Sequence, residues 1–488
     1  MAFTEFCCRS GGSNMNGGGL ASNAEPATTP VYSATNGNWN SGTGIYTPST
    51  GTTPASTVVS GDWAHVFVDG ATTPAFIGRV TNVAAGVNGA ITISTSAKSG
   101  TAPTTAGTGI SINVGGAWLG PSGASGFPFN FATASLQNSS SDRPRINFKN
   151  DATYSITAGI SATNPSGMIR YQGYSTTFGD LGRAVIDGGT TGTSYILLTV
   201  ANANVVTYAD FVFQNNGATG SADGLRTTNT NAAPTFLRVV CHDVRGTGFA
   251  TSGNFGLLHV ECEAYNCNQS NSTGKGGFTS DAALSTCIRC IAHDNTGNGS
   301  DGFGSIRTLI NCIADSNGRF GFFLGSDLEF MVGCDAYNNG SSGIVCNIGG
   351  NKSLHIESCN LVKNGAYGID LQQGAGVNAI VINCGFGSGT QANTSGTVRL
   401  PSSGGVAEVV GSVTYAANTL PWVDAANGDF RINLAAAKNA GRGNFMQTAA
   451  SYAGTIAYPD IGAAQHQDTG GASGPVAQLK TFGRGSPY

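Results

Sequence analysis

The sequence predicts an all-β protein: a single-stranded parallel β-helix of about 22 residues per coil, preceded by a small N-terminal β-barrel or sandwich. The first observation is a cysteine that returns at Cys241, Cys262, Cys290, Cys312, Cys334, Cys359 and Cys384, in steps of 21, 28, 22, 22, 25 and 25 residues. The second is the frame around it. An alanine often lies two residues on (Ala264, Ala292, Ala314, Ala336), an asparagine five on (Asn295, Asn317, Asn339, Asn364), and a glycine plus a hydrophobic opens the next segment at Leu225, Phe249, Phe278, Phe303, Phe322, Ile344 and Ile369. The third is that each unit holds only short alternating runs, such as Leu309–Ala314, and never an apolar pattern long enough for a helix. Coils of that size stack at one strand spacing, about 4.8 Å, so every position sits on its own equivalent. Cysteine and alanine then fill narrow inward slots. The asparagine is expected to turn a left-handed corner and to bond its stacked copies through the side-chain amide. Cys267 occupies the asparagine position of its coil, and Phe211, Phe213 and Asn216 extend the frame upstream of the first cysteine.

Taken in order, residues 1–29 are rich in Gly, Ser and Asn and read as an N-terminal arm without a core. Residues 30–119 form a separate small β domain for docking or assembly, with alternating strands at Trp63–Val68, Phe76–Val80, Ala90–Ile93 and Ile110–Val114 and a turn at Asp69–Gly70. Residues 120–141 supply a linker and an aromatic N-terminal cap around Phe127, Phe129 and Phe131, because an uncapped coil exposes core and strand edges. The solenoid proper spans 142–415, followed by a C-terminal cap region at 416–466 and an exposed tail at 467–488.

The closing text, Asp429-Phe430-Arg431-Ile432, an alanine run and Asp460-Ile461-Gly462-Ala463, resembles the final segment of right-handed parallel β-helix proteins of the pectate-lyase-like superfamily. The resemblance covers roughly residues 142–466. It implies right-handedness, in line with the general rule for parallel crossovers. It leaves activity open, since that superfamily includes polysaccharide lyases, hydrolases, adhesins and viral tailspikes. For a pectin-type hydrolase it would imply paired aspartates with Gly-His-Gly and Arg-Ile-Lys; for a pectate lyase, a calcium-binding acid cluster and Trp-Ile-Asp-His. Neither set is present.

Only 10% of the 488 residues are charged, the net charge is −4, and there is no basic run, which excludes nucleic acid as the expected partner. No stretch is apolar enough to span a bilayer. The first residues lack the basic and apolar regions of a cleaved export signal, so the chain is expected to be made in the cytoplasm, with its twelve cysteines as reduced, buried thiols. Residues 1–141 carry seven charged side chains, which marks that region as a docking surface or as one packed against copies of itself.

No catalytic residue, cofactor or metal site is expected. If the chain were an enzyme, the best constellation would be Asp281, Arg307 and Asp327, with Asp370 as a further member, although carboxylates two coils apart stand near 10 Å, wide for an inverting glycosidase. His242, His259, His293 and His355 are scattered over four coils, and alternation points His259 and His355 outward. Cys287-Ile-Arg-Cys290 is a lone pair without a second. All four tryptophans lie outside the coils, leaving Tyr265 and Tyr337 as stacked corner aromatics. Insertions at Gln269–Lys275 and Thr296–Ser300 fall at one corner and would project together, so a glycan or receptor is expected there. These features together resemble a virion-associated protein of a tailed bacteriophage, a spike, fibre or capsid or tail decoration that is exposed on the particle after lysis. The homo-oligomer expected is a trimer, docked to other virion proteins through the N-terminal domain. The alternatives are a carbohydrate-active enzyme of the pectate-lyase-like group and a bacterial surface adhesin.

Overall fold

The computed structural model describes residues 2–437 apart from 50, 70–75, 101–102, 104–106, 122–127, 130–141, 164–168, 202–205, 229–232, 253–255, 281–283, 326–327, 347–351, 372–375 and 402–404. The chain divides into two compact units, one built from Met1–Thr190, Tyr195–Asn216 and Thr227–Val240, the other mainly from Cys241 onward.

In both units the chain is a parallel β-solenoid of about nine turns. Three parallel sheets carry it, of twelve, ten and eleven strands. One turn of the second unit shows the plan: Phe249–Ser252 in the second sheet, Leu257–Val260 in the first, Glu263–Tyr265 in the third. The corner from first to third sheet is one residue in the left-handed conformation, at Arg238, Glu261, Arg289, Asn311, Gly333, Ser358 and Asn383.

That corner places the cysteines. Cys262, Cys290, Cys312, Cys334, Cys359 and Cys384 each follow it directly, and each Sγ lies 3.3–3.5 Å from the carbonyl oxygen two residues back. A small buried group with a weak S–H donor closes the turn. Cys241 differs from expectation. It comes three residues after the corner residue Arg238, in the alanine slot, so the sulfur column has six members rather than seven. The phrase around Cys241 resembles the others, but the corner sets the register. All twelve cysteines are buried thiols.

The asparagine ladder is present, with one correction. The left-handed residue of that corner is the one before the asparagine (Asp294, Ser316, Asn338, Lys363). The asparagines themselves face inward and bond along the axis: Nδ2 of Asn295, Asn317, Asn339 and Asn364 donates to Oδ1 of the next member at 2.8, 2.9, 2.9 and 3.0 Å, ending on Asn393. The Oδ1 atoms of Asn295, Asn339, Asn364 and Asn393 also accept a backbone N–H from the preceding coil, donated by Cys267, Asn317, Asn339 and Asn364 respectively. The alanine and glycine columns exist because the amide needs the space. A Cβ on Gly302 would lie 2.6 Å from the Gly321 carbonyl oxygen, 2.9 Å from Asn317 Nδ2 and 3.1 Å from Ala314 Cβ. Beside them Phe249, Phe278, Phe303 and Phe322 stack at 4.7, 4.9 and 5.1 Å between ring centroids.

The N-terminal domain is a closed antiparallel barrel of six strands, Tyr32–Asn40, Ile45–Thr47, Trp63–Val68, Phe76–Val83, Ile91–Gly100 and Gly107–Val114. The four strands expected from alternation are there, and two earlier ones complete the closure. The Asp69–Gly70 turn falls partly outside the described residues. Residues 1–29 are not a coreless arm. Ala2–Cys8 is the first strand of the first sheet, parallel to Asp142–Lys149 in the register Ala2 to Asp142 through Cys8 to Phe148. Phe6 anchors it, 4.8 Å from the Trp63 ring and stacked 5.1 Å from Trp118, so the barrel is an insertion between the first and second strands of that sheet.

Phe129 is the cap residue that can be placed. It is fully buried against Phe148, Tyr171, Tyr208 and Phe211 at the start of the solenoid, as an open end requires. Phe127 and Phe131 lie outside the described residues. At the other end the expected cap takes a different course. The hairpin Trp422–Asp424 and Asp429–Ile432 packs on the outer face of the third sheet, with Trp422 and Phe430 against Tyr337, Ile313 and Val362. The last strand of the first sheet keeps Val406, Val409 and Val410 exposed. Asp460–Ala463 and the tail lie outside the described residues.

Candidate functional site

The two longer coils meet at the corner after the third sheet, as their lengths imply. Asn298 N donates to Asn271 Oδ1 at 3.1 Å and Gly274 N to the Gly299 carbonyl at 3.3 Å, so the loops Gln269–Lys275 and Thr296–Ser300 are hydrogen-bonded neighbours. Buried Asn268 organises both: its Nδ2 donates to Ser300 Oγ at 2.8 Å and to the Ser272 carbonyl at 2.9 Å, while its Oδ1 accepts from Ser272 N at 2.9 Å. At the far end Lys275 Nζ reaches Asp223 Oδ1 at 2.8 Å; Asp223 also binds Arg226 and accepts from Thr247 N.

Beside these loops the third sheet presents a ring ladder, His242 over Tyr265 at 4.5 Å and Tyr265 over His293 at 5.0 Å. The rings stack on one another along the axis, which covers the faces a sugar would use, so Tyr265 is a stacked corner aromatic as expected, whereas Tyr337 meets Trp422 and Phe430 edge-on. Acids line the ladder. His293 Nδ1 lies 2.9 Å from Asp294 Oδ2 and Nε2 lies 3.0 Å from Glu263 Oε1, while His242 Nδ1 lies 2.6 Å from Asp243 Oδ2. Burial opposes a charge on His293, yet the two carboxylates outweigh it and raise its pKa to about 9. Gln269 links this ladder to the loops through Asp243 Oδ1 at 3.5 Å. Among the described residues no group of three or more His, Cys, Asp or Glu has the arrangement of a metal site.

His259 and His355 part company. His355 is outward and 2.7 Å from Glu357 Oε2. His259, expected outward, is buried in the core with Nδ1 3.7 Å from Cys287 Sγ and its ring edge-on to Phe249 and Phe278, and burial lowers its pKa to about 3. The cause is parity: His259 stands two residues before its left-handed corner at Glu261, His355 three before Ser358.

Of the hypothetical catalytic set, Asp281 and Asp327 lie outside the described residues. Arg307 is half-buried in the connection ahead of Thr308–Ile310; its backbone N–H reaches Ser285 Oγ and its carbonyl accepts from Phe330 N. Asp370 is buried and held by Arg399 Nε and Nη2 at 2.8 and 2.6 Å. That arrangement recurs. Arg238 grips Asp210 at 2.6 and 2.9 Å, Arg319 grips Asp301 at 2.8 and 2.5 Å, and Arg289 binds Glu261 at 2.7 Å, each joining one coil to the next.

Strand pairing, corner geometry and axial ladders together decide the architecture. The fold is that of the parallel β-helices. No family model matches the chain, and no curated protein matches its sequence. Solved structures similar to it include the pectate lyase Pel9A, at 18% identity and TM-score 0.40 over 66% of this chain and 88% of that one. Another is the periplasmic alginate epimerase AlgG, at 12% identity and TM-score 0.33 over 55% and 77%.

Proposed function

We propose that this chain is a structural protein of a tailed-bacteriophage particle. In this reading the β-helix is a rigid shaft, the barrel docks to other virion proteins, three copies associate, and the paired loops Gln269–Lys275 and Thr296–Ser300 meet a glycan or receptor on the host surface. The observation that supports it is the use made of the few charges. Carboxylates at Asp210, Asp223, Asp301 and Asp370 are each paired with a guanidinium, and at Asp210, Asp301 and Asp370 that pair joins one coil to the next, so these acids are committed to holding the shaft together. The test is immunogold electron microscopy of particles released by lysis, with native mass spectrometry of the purified chain. Label on tails or capsids and a trimer support the proposal; a soluble monomer absent from particles overturns it.

The second reading is a carbohydrate-active enzyme, and one observation favours it. Arg307, the described member of the candidate set Asp281, Arg307 and Asp327, is half-buried in the segment joining second sheet to first, between Asp301–Gly304 and Thr308–Ile310. Release of reducing ends or of unsaturated uronate absorbance from a polysaccharide panel, lost in Asp281→Asn or Asp327→Asn, would establish it.

A further inference from the structure

The outward face of the first sheet in the N-terminal coils carries two arginines directly opposite each other. Glu5, Arg145, Arg170 and Thr207 are cross-strand partners on consecutive strands, and Thr235 follows Thr207. Steps of about 4.8 Å separate them. Like charges so placed destabilise a sheet unless something compensates. Arg145 is compensated, because Glu5 Oε2 accepts from its Nε at 2.9 Å. The nearby Asp210 carboxylate is already occupied by the fork of Arg238. Arg170 stands between these two neutralised pairs. It is half-buried, its Nε is buried with no acceptor, and it makes no ion pair with any described residue. Burial and the charges of Arg145 and Arg238 push its pKa down, against the pull of Asp210 and Glu5.

A second orphan lies on the same strand and the same face. Gln172 is fully buried, donates through Nε2 to Asn147 Oδ1 at 2.7 Å, and has no partner for Oε1. Ile169–Tyr174 therefore offers an unfilled cationic donor and an unfilled acceptor two residues apart. A buried polar group without a partner costs free energy, and two side by side with complementary roles point to a missing ligand group.

We propose that Arg170, flanked by Arg145 and Thr207, binds one oxyanion, a carboxylate or phosphate carried by a ligand whose hydroxyl is accepted by Gln172 Oε1. Guanidinium forks suit such groups, and the threonine hydroxyls of the row add neutral donors. The proposal does not depend on the particle reading.

The experiment is isothermal titration calorimetry of the full chain with inorganic phosphate and with acetate, at fixed ionic strength set by chloride, alongside thermal melts. The wild type is expected to show saturable one-site binding of at least one of them in the millimolar range. Arg170→Met weakens it tenfold or more, and Arg170→Lys weakens it less. Preference for phosphate names a phosphate-bearing ligand; equal or better binding of acetate names a carboxylate. Without anion, Arg170→Met is expected to melt at or above the wild-type temperature, since it removes an uncompensated cation. Three results overturn the proposal: no saturable binding of either anion, equal binding by Arg170→Met, or a lower anion-free melting temperature for that variant, which would reveal a structural partner.

Discussion

Truncating Asn339 tests the axial ladder at its centre. Its side chain is 1% exposed and makes four hydrogen bonds: Nδ2 donates to the Ala314 carbonyl at 3.0 Å and to Asn364 Oδ1 at 2.9 Å, and Oδ1 accepts from Asn317 N at 3.1 Å and Nδ2 at 2.9 Å. In Asn339→Ala some partners keep an alternative. Asn317 Nδ2 retains the Ala292 carbonyl, and Asn364 Oδ1 retains Asn339 N. Asn317 N–H and the Ala314 carbonyl lose this partner inside the coil. At about 1–3 kcal/mol for each orphan, the loss is about 4 kcal/mol. Urea unfolding followed by circular dichroism measures it, and hydrogen exchange of the Asn317 amide localises it. Because Asn317 and Asn339 share their bonds, the double variant should cost about 1–2 kcal/mol less than the sum. A loss below about 1 kcal/mol, or strict additivity, would refute a ladder that carries load along the axis.

Other expectations follow from the same contacts. His293 has a folded pKa near 9, above its unfolded value of 6.5, so its stabilisation is complete below pH 6.5 and disappears as pH rises through 9; melts across that window should lose on the order of 3 kcal/mol, and His293→Gln should flatten the loss. His259 behaves oppositely. Its folded pKa near 3 means the unfolded chain binds the proton first, so stability falls from pH 6.5 towards 3 by about 1.4 kcal/mol per unit; His65, lowered to about 4, adds to that slope, and the wild-type minus His259→Leu difference isolates the His259 share. Burial also pushes the Cys7 thiol up to about 12, and all twelve cysteines are buried, so native protein should not react with a thiol reagent at neutral pH while denatured protein titrates fully; fast native reaction would show that the coils breathe.

The periodic part of this fold could be read from residue types because stacking makes every coil solve the same packing problem. Asparagine, alanine and glycine recur together since one buried amide fixes the size of its neighbours, and that logic is local. What the text hid is register. Phrase similarity points Cys241, and alternation points His259, to the wrong slot, and both come right when residues are counted from the left-handed corner, at Arg238 and Glu261. The first strand was hidden for another reason: Ala2–Cys8 pairs with residues 140 positions away across an inserted barrel, and no local pattern signals a parallel partner at that distance. Trp422 and Phe430 have the composition of an end cap as much as of a flank, and only packing against Tyr337 separates the two. Near the candidate loops, His293 proves to share the slot that Tyr265 fills one coil earlier, and its partner Glu263 belongs to that earlier coil, a pairing across coils that no local pattern signals.

The two longer loops are shaped rather than slack, and the argument lies in what the ladder gives up for them. From Asn295 to Asn393 the inward asparagine column is continuous, and a coil gains by extending it. The column ends on the Cys267 N–H, with Val244 in the same slot one coil earlier, although Asn268 follows Cys267 immediately with the right chemistry. Asn268 instead takes the next, left-handed position and spends its amide on Ser272 and Ser300, one bond within its own loop and one across to the other. Random lengthening would leave the column intact and let the extra residues hang in solvent, since long surface insertions cost little. Exchanging an axial bond for two bonds that fix the loops in place selects a defined surface at this corner. A solenoid has reason to do that only where its repeat must be interrupted, and interruption is the one way a stack of equivalent positions can present something unique.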